Sequence, residues 1–329
     1  MRIDSFAHVL PEGYYEELGE IHSSHAYERH PTAGFWDYER RIDHMDEFGI
    51  DRQVITLGGP HLLPIARAQN DAETMRGLVR RANDEVRAIA DEYPDRFLPV
   101  GTVPFISDDM EAEFRRCIEE LDMVGMQIFT NYGGRPIDDE ELLPIYDLAT
   151  EYDVPLWLHP QVHDWYDWTD QWGVNLAFGW LFDTTRALTR LVFSGLLERY
   201  PDLKLVTHHG AGMVPHFMER AKLFFYEEGA FQETTKMFEG GYEELTKPID
   251  EYYTQFYADT VLYGSQPAMG TLYEVYGPEQ MVFATDYPYG GHGGYDFMRS
   301  NSELLDEFDA PAAEKEAIEG GNLQSLLDV

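Results

Sequence analysis

Four side chains able to hold a divalent ion or move a proton stand where short apolar runs stop: His8, His159, His209 and Asp286. The run Lys-Leu-Val-Thr-His-His-Gly-Ala-Gly-Met-Val-Pro, residues 204–215, shows the pattern best. It begins like a buried parallel strand, breaks at paired histidines and glycines, and resumes as a helix at Pro215. A strand ending in His-Gly delivers an imidazole to the strand's C-terminal end, where α/β folds keep their chemistry. A Gly-rich turn with a core histidine would account for one such ending, but four on one rim point to a site. Two neutral imidazoles and a carboxylate suffice for a catalytic divalent ion with an open position, and His8, His159 and Asp286 suit that role. His209 is then the acid or base, with Asp286 as a second candidate for carrying a proton. Nitrogen-rich ligation puts Zn²⁺ first, ahead of Mn²⁺, Fe²⁺, Co²⁺ or Mg²⁺.

These residues need strands to bring them together. Eight short apolar stretches, at 2–8, 52–57, 97–104, 125–130, 155–160, 204–209, 256–261 and 281–286, are bounded by Gly, Pro or Asp. Helical patterns fall between them, at 71–93, 109–121, 139–152, 184–200, 215–228 and 266–276. The alternation predicts an α/β fold, a (β/α)8 TIM barrel, with residues 1–329 in one domain. In the first strand, alternation places Asp4, Phe6 and His8 on one face. Two connections exceed a turn: 9–36, carrying His22, His25 and His30, and 161–182, carrying Trp165, Trp168, Trp172 and Trp180. Both follow strands, so both are expected over the barrel mouth, as a lid, the wall of a pocket for a planar substrate, or a subunit contact.

Composition removes whole classes of function. Sixty-one acids against 24 Lys plus Arg give a net charge of −37, which repels nucleic acid and anionic membranes. The acids are dispersed and lysines are few, a surface suited to high salt, where self-repulsion is screened. No apolar run is long enough to span a bilayer and no signal segment is recognised. The one cysteine, Cys117, excludes an intrachain disulfide and a cysteine-held metal, and fits a cytoplasmic protein.

Several motifs occur together: Ile3-Asp4…His8-Val9-Leu10-Pro11, Arg41-Ile42…Met45-Asp46…Gly49-Ile50, Gly125-Met126-Gln127-Ile128, Leu158-His159-Pro160, His209-Gly210-Ala211-Gly212…Pro215, and Thr285-Asp286-Tyr287-Pro288. In combination, and nearly end to end, they resemble the amidohydrolase-related barrel family, within it the aminocarboxymuconate-semialdehyde decarboxylase-like branch. The resemblance implies a single-metal barrel with His159 and Asp286 as ligands, His209 as the catalytic histidine and Arg41 as an anchor for a substrate carboxylate. It also implies a homodimer in which Arg220 reaches the neighbouring subunit's site. The family's usual His-x-His at the end of the first strand is here Phe6-Ala7-His8, so one ligand is replaced; His22, His25 or His61 could stand in for it. The fourth strand ends Gln127-Ile128-Phe129-Thr130 without a lysine to bridge two metals. The implied reaction is metal-dependent decarboxylation of a small, planar, carboxylated substrate. Mononuclear hydrolysis of an amide, ester or lactone is the alternative. A binding barrel impaired by Phe6 is the second.

Overall fold

The computed structural model describes residues 1–21, 33–58, 72–103, 109–161, 171–226 and 245–327. Eight short parallel strands run in chain order. They are β1 (Ile3–Val9), β2 (Arg52–Leu57), β3 (Phe97–Pro99, continued at Gly101–Thr102), β4 (Met126–Phe129), β5 (Leu156–His159), β6 (Leu205–Thr207), β7 (Tyr257–Asp259) and β8 (Met281–Val282). Each pairs with the next through to β8. The first and last strands close the ring through backbone bonds: Ser5 N donates to Phe283 O at 2.8 Å, His8 N to Tyr287 O at 2.6 Å and Asp286 N to Phe6 O at 3.1 Å. This is the (β/α)8 barrel that the alternation predicts.

The longer helices among the described residues are α1 (Glu12–Ile21), α2 (Tyr38–Glu47), α3 (Ala72–Glu92), α4 (Met110–Glu119), α5 (Leu143–Glu151), α6 (Trp180–Phe193), α7 (Val214–Tyr226), α8 (Gln266–Tyr276) and α9 (Tyr295–Glu307). Both strand faces are buried. Ala7, Val9, Ile55, Ile128 and Leu158 pack outward against helices. Ile3, Phe6, Val54, Trp157, Val206 and Val282 fill the barrel interior. Continuous Val/Ile/Leu runs are what strands buried on both faces require.

Several boundaries depart from the sequence reading. Strands six and eight stop pairing at Thr207 and Val282, so the residues beyond them lie in irregular backbone rather than in strands. The helix read at 184–200 starts at Trp180 and is broken at Gly195, whose φ is +77°. The connection 9–36 contains a helix, α1, seated by the buried side chains of Tyr14 and Leu18. His22, His25, His30, His61, Trp165 and Trp168 lie outside the described residues.

Candidate active site

The chain after β6 turns left-handed for four residues. His209, Gly210, Ala211 and Gly212 have φ of 56°, 59°, 59° and 63°. Such a run is costly for residues with a Cβ, and needs anchoring. Asp259, at the end of β7, supplies it by accepting from Gly210 N at 2.9 Å and Val261 N at 3.1 Å. Gly212 has no room for a side chain, since a Cβ there would stand 2.5 Å from Leu181 O. In a strand, successive side chains point to opposite faces. The turn breaks that rule, and the His208 and His209 rings lie 3.8 Å apart, both buried.

Three imidazoles at this end of the barrel share one arrangement, assigned from their hydrogen-bond networks. Thr56 Oγ1 donates to Ala7 O at 3.2 Å, and so accepts from His8 Nδ1 at 2.9 Å. His159 Nδ1 donates to Pro160 O at 2.8 Å. His208 Nδ1 donates to Asp259 Oδ2 at 2.5 Å. In His8 and His159 the neutral ring keeps its lone pair on Nε2, whereas His208 Nε2 faces Asp286 Oδ1 at 3.4 Å and carries a proton in the imidazolium form. An outward Nδ1–H and an inward Nε2 is how ligating histidines are held. Two sets of ligand atoms converge within 4.8 Å, His8 with His159 and His208, and His208 with His209 and Asp286. His8 Nε2 lies 3.2 Å from Asp286 Oδ1 and is buried with no hydrogen-bond partner. Two lone pairs facing at that distance call for a cation, so the donor set fits a divalent ion.

Asp286 is the centre of charge. Burial would raise its carboxyl, but the imidazoles of His208, His209 and His8 that face it hold it well below the usual carboxylate range. Tyr263 Oη donates to Asp286 Oδ2 at 3.0 Å. Burial also pushes the His8 pKa down, and the same effect with the nearby His208 charge lowers that of His209. His208 goes the other way: burial opposes its charge, but the Asp259 carboxylate prevails and raises it to about 9. His209 Nε2 is 3.8 Å from Asp286 Oδ2, its Nδ1 is buried without a partner, and its ring stacks on Trp180 at 6.1 Å.

The family model described as Amidohydrolase matches residues 3–328. The chain belongs to the amidohydrolase family. It is 25% identical over 310 residues, 88% of this chain and 82% of the other, to 2-amino-3-carboxymuconate-6-semialdehyde decarboxylase of Dictyostelium discoideum. It is 27% identical over 309 residues, 88% and 86% of the two chains, to gamma-resorcylate decarboxylase of Polaromonas sp.. A solved 5-carboxyvanillate decarboxylase of Novosphingobium aromaticivorans, complexed with manganese and 4-hydroxy-3-methoxy-5-nitrobenzoic acid, superposes with a TM-score of 0.85 at 25% identity, covering 100% of this chain and 96% of the other.

Within this amidohydrolase the structure brings His8, His159, His209 and Asp286 together. Arg41 lies behind His8. That guanidinium is fully buried, with Nε donating to Gln53 Oε1 at 2.7 Å and Nη1 to His8 O at 2.8 Å, between the rings of Phe97 and Tyr287. Two of its donors are thus taken, by the Gln53 side chain and by the backbone that carries His8, while Nη2 is buried without a hydrogen-bond partner, and the substrate clamp expected at Arg41 stays a proposal. Arg220 lies exposed on α7 with its guanidinium 4.7 Å from the Phe224 ring centroid. Three site residues escaped the sequence reading: His208, Asp259 and Tyr263. The doubled histidine was the available signal for the first, and Asp259, at a strand end like the others, for the second.

Proposed function

We propose that this amidohydrolase is a metal-dependent carboxy-lyase acting on a small, planar, carboxylated substrate, with residues 1–329 as one catalytic unit. The observation that carries the reading is the convergence of two overlapping sets of buried ligand atoms, His8 with His159 and His208, and His208 with His209 and Asp286, with the His209 ring against Trp180. His8, His159 and Asp286 would hold the ion. When bound, it supplies positive charge that fixes and polarises a substrate oxygen. Nitrogen-rich ligation favours Zn²⁺; the manganese in the 5-carboxyvanillate relative favours Mn²⁺.

His209 is the residue to move the proton. Its Nε2 borders Asp286, and the Trp180 and Tyr263 rings beside it suit a flat substrate. His209, in its imidazolium form, passes the proton to the ring carbon that bears the carboxylate, and the neutral imidazole left behind regains a proton from solvent. The carbon–carboxylate bond then breaks, its electron pair stays with the ring, and CO₂ leaves. Asp286 stays ionised throughout, which keeps His209 oriented.

The decisive experiment incubates the metal-loaded protein with ortho-hydroxylated benzoates in D₂O. CO₂ release with deuterium at the vacated carbon is expected, and His209→Ala should slow it about 10²–10⁴-fold. Release of an acid, alcohol or amine with water consumed and no CO₂ would select the hydrolase. No turnover of either kind by a metal-loaded protein would select the binding barrel.

A homodimer with shared sites is part of the same proposal. Trp172, Leu176, Phe178, Phe217 and Leu223 are exposed around the start of α6 and along α7, with Trp172 94% exposed. The two segments adjoin, since Met213 N donates to Thr185 Oγ1 at 2.8 Å. A large apolar patch of this kind marks an interface, and Arg220 lies on it. Among the described residues no helix is long and apolar enough to cross a membrane. A salt-rich, reducing cytoplasm suits the dispersed acids and the buried thiol of Cys117.

A further inference from the structure

We infer that Tyr263 is a positioning residue for Asp286: its hydroxyl takes one carboxylate oxygen and so leaves the other to the divalent ion. This rests on the metal-dependent reading above. The two oxygens face different partners. Oδ1 lies 3.2 Å from His8 Nε2 and 3.4 Å from His208 Nε2. Oδ2 accepts from Tyr263 Oη at 3.0 Å, with His209 Nε2 farther off at 3.8 Å. An aspartate carboxylate turns easily about its last torsion, and a free one can offer a cation both oxygens. A donor fixed on Oδ2 stops that rotation and holds Oδ1 among the imidazoles.

A phenol can do this when its own position is fixed, and the fold fixes it twice. Tyr263 sits in the turn after β7, where it and Gly264 have φ of 51° and 82°. That conformation is costly for a residue with a Cβ. Asn301, on α9 and with no exposed surface, supplies the anchor. Its Oδ1 accepts from Leu262 N at 3.1 Å and Tyr263 N at 2.8 Å. Its Nδ2 donates to Thr285 O at 3.2 Å and Phe297 O at 3.1 Å. All four hydrogen bonds open to an amide side chain are thus made, in an orientation assigned from the network. One side chain joins the turn that carries Tyr263 to the residue preceding Asp286. Phe297 adds a second hold, since its ring packs against that of Tyr263 with centroids 4.6 Å apart. Tyr263 is nevertheless 40% exposed, so the hold on its turn serves the hydroxyl rather than the burial of the ring.

The test measures Mn²⁺ affinity by calorimetry and the visible spectrum of the Co²⁺-loaded protein, with folding checked by circular dichroism and melting temperature. Tyr263→Phe removes a single oxygen from a half-exposed ring. It should weaken Mn²⁺ binding by about 10–100-fold, the usual loss for an outer partner of a ligand, and alter the Co²⁺ bands while the melting temperature holds. Asn301→Ala frees the turn and should weaken binding in the same direction. Adding Tyr263→Phe to it should then cost no more than about threefold further, since a freed turn no longer places the hydroxyl. Tyr263→Phe decides alone if Asn301→Ala does not fold. The role of Tyr263 is overturned if folded Tyr263→Phe binds Mn²⁺ like the parent with the same Co²⁺ bands. It is equally overturned if the bands stay unchanged and affinity falls only in step with a lowered melting temperature, which is the mark of a purely structural residue. Losses that multiply in the double variant overturn the placement of the hydroxyl by Asn301. A parent protein that binds neither ion overturns the metal-dependent reading itself, and the role of Tyr263 with it.

Discussion

Asp4 is a carboxylate with no access to water. Burial raises its pKa from 3.8 to about 6, although Thr285 Oγ1, Gln53 Nε2, Phe6 N and Thr285 N all donate to it. The folded protein thus keeps a proton there that the unfolded chain releases. Stability from this group is fully present below about pH 4 and is lost as pH climbs through about 6, a change of about 3 kcal/mol. Asp4→Asn removes the titration. Denaturant unfolding of both proteins across that range should show the difference in stability narrowing with rising pH; a constant difference would contradict the burial argument. The other site residues divide by how the backbone presents them. His8, His159 and Asp286 were legible because each follows an apolar run. His208 was not, because strand alternation puts it opposite His209, and only the left-handed turn at His209–Gly212 overrides alternation. Tyr263 meets Asp286 across 23 positions, a contact no local pattern announces.

Among the elements, α2 has a task its sequence conceals. Arg41 leaves its buried face and ties the end of β1 in place through His8 O. The family motif around Arg41 was visible in the sequence, but a motif does not say which way a guanidinium points. Arg41→Met should therefore lower stability by about 3 kcal/mol, by stranding Gln53 Oε1 and a buried carbonyl. An unchanged denaturation midpoint with a raised KM would support the clamp. The strands were legible because runs buried on both faces are continuous and short. Their ends were not, since pairing in β6 and β8 stops where the backbone turns to form the site. Helix α1 was hidden because a single face, Tyr14 and Leu18, is apolar amid glutamates.

For the whole molecule, two properties remain to be measured. With a net charge of −37, self-repulsion opposes folding at low ionic strength. The melting temperature should rise steeply between about 0.1 M and about 2 M KCl as the Debye length shrinks from about 10 Å to a few Å. A flat profile would remove the argument for a salt-adapted surface. The apolar patch over α6 and α7 leads to a test of site sharing. Mixing inactive Arg220→Ala with inactive His209→Ala under subunit exchange should restore activity, because each hybrid holds one site with both residues intact. A mixture that stays inactive despite proven exchange would leave Arg220 a surface residue.

The seam between the first and last strands has a consequence for how the protein is made. Asp4 meets its Thr285 partner 281 positions later in the chain. At roughly 5–20 residues per second, a ribosome separates their appearance by roughly 15–60 s. Until then the N-terminal strand has no partner on that side, and Asp286, beside Thr285, has not been translated. The joint that closes the barrel is thus the one that completes the catalytic centre. A nascent chain stalled or clipped before Thr285 lacks both at once, so fragments short of that residue have no means to become partly active enzyme.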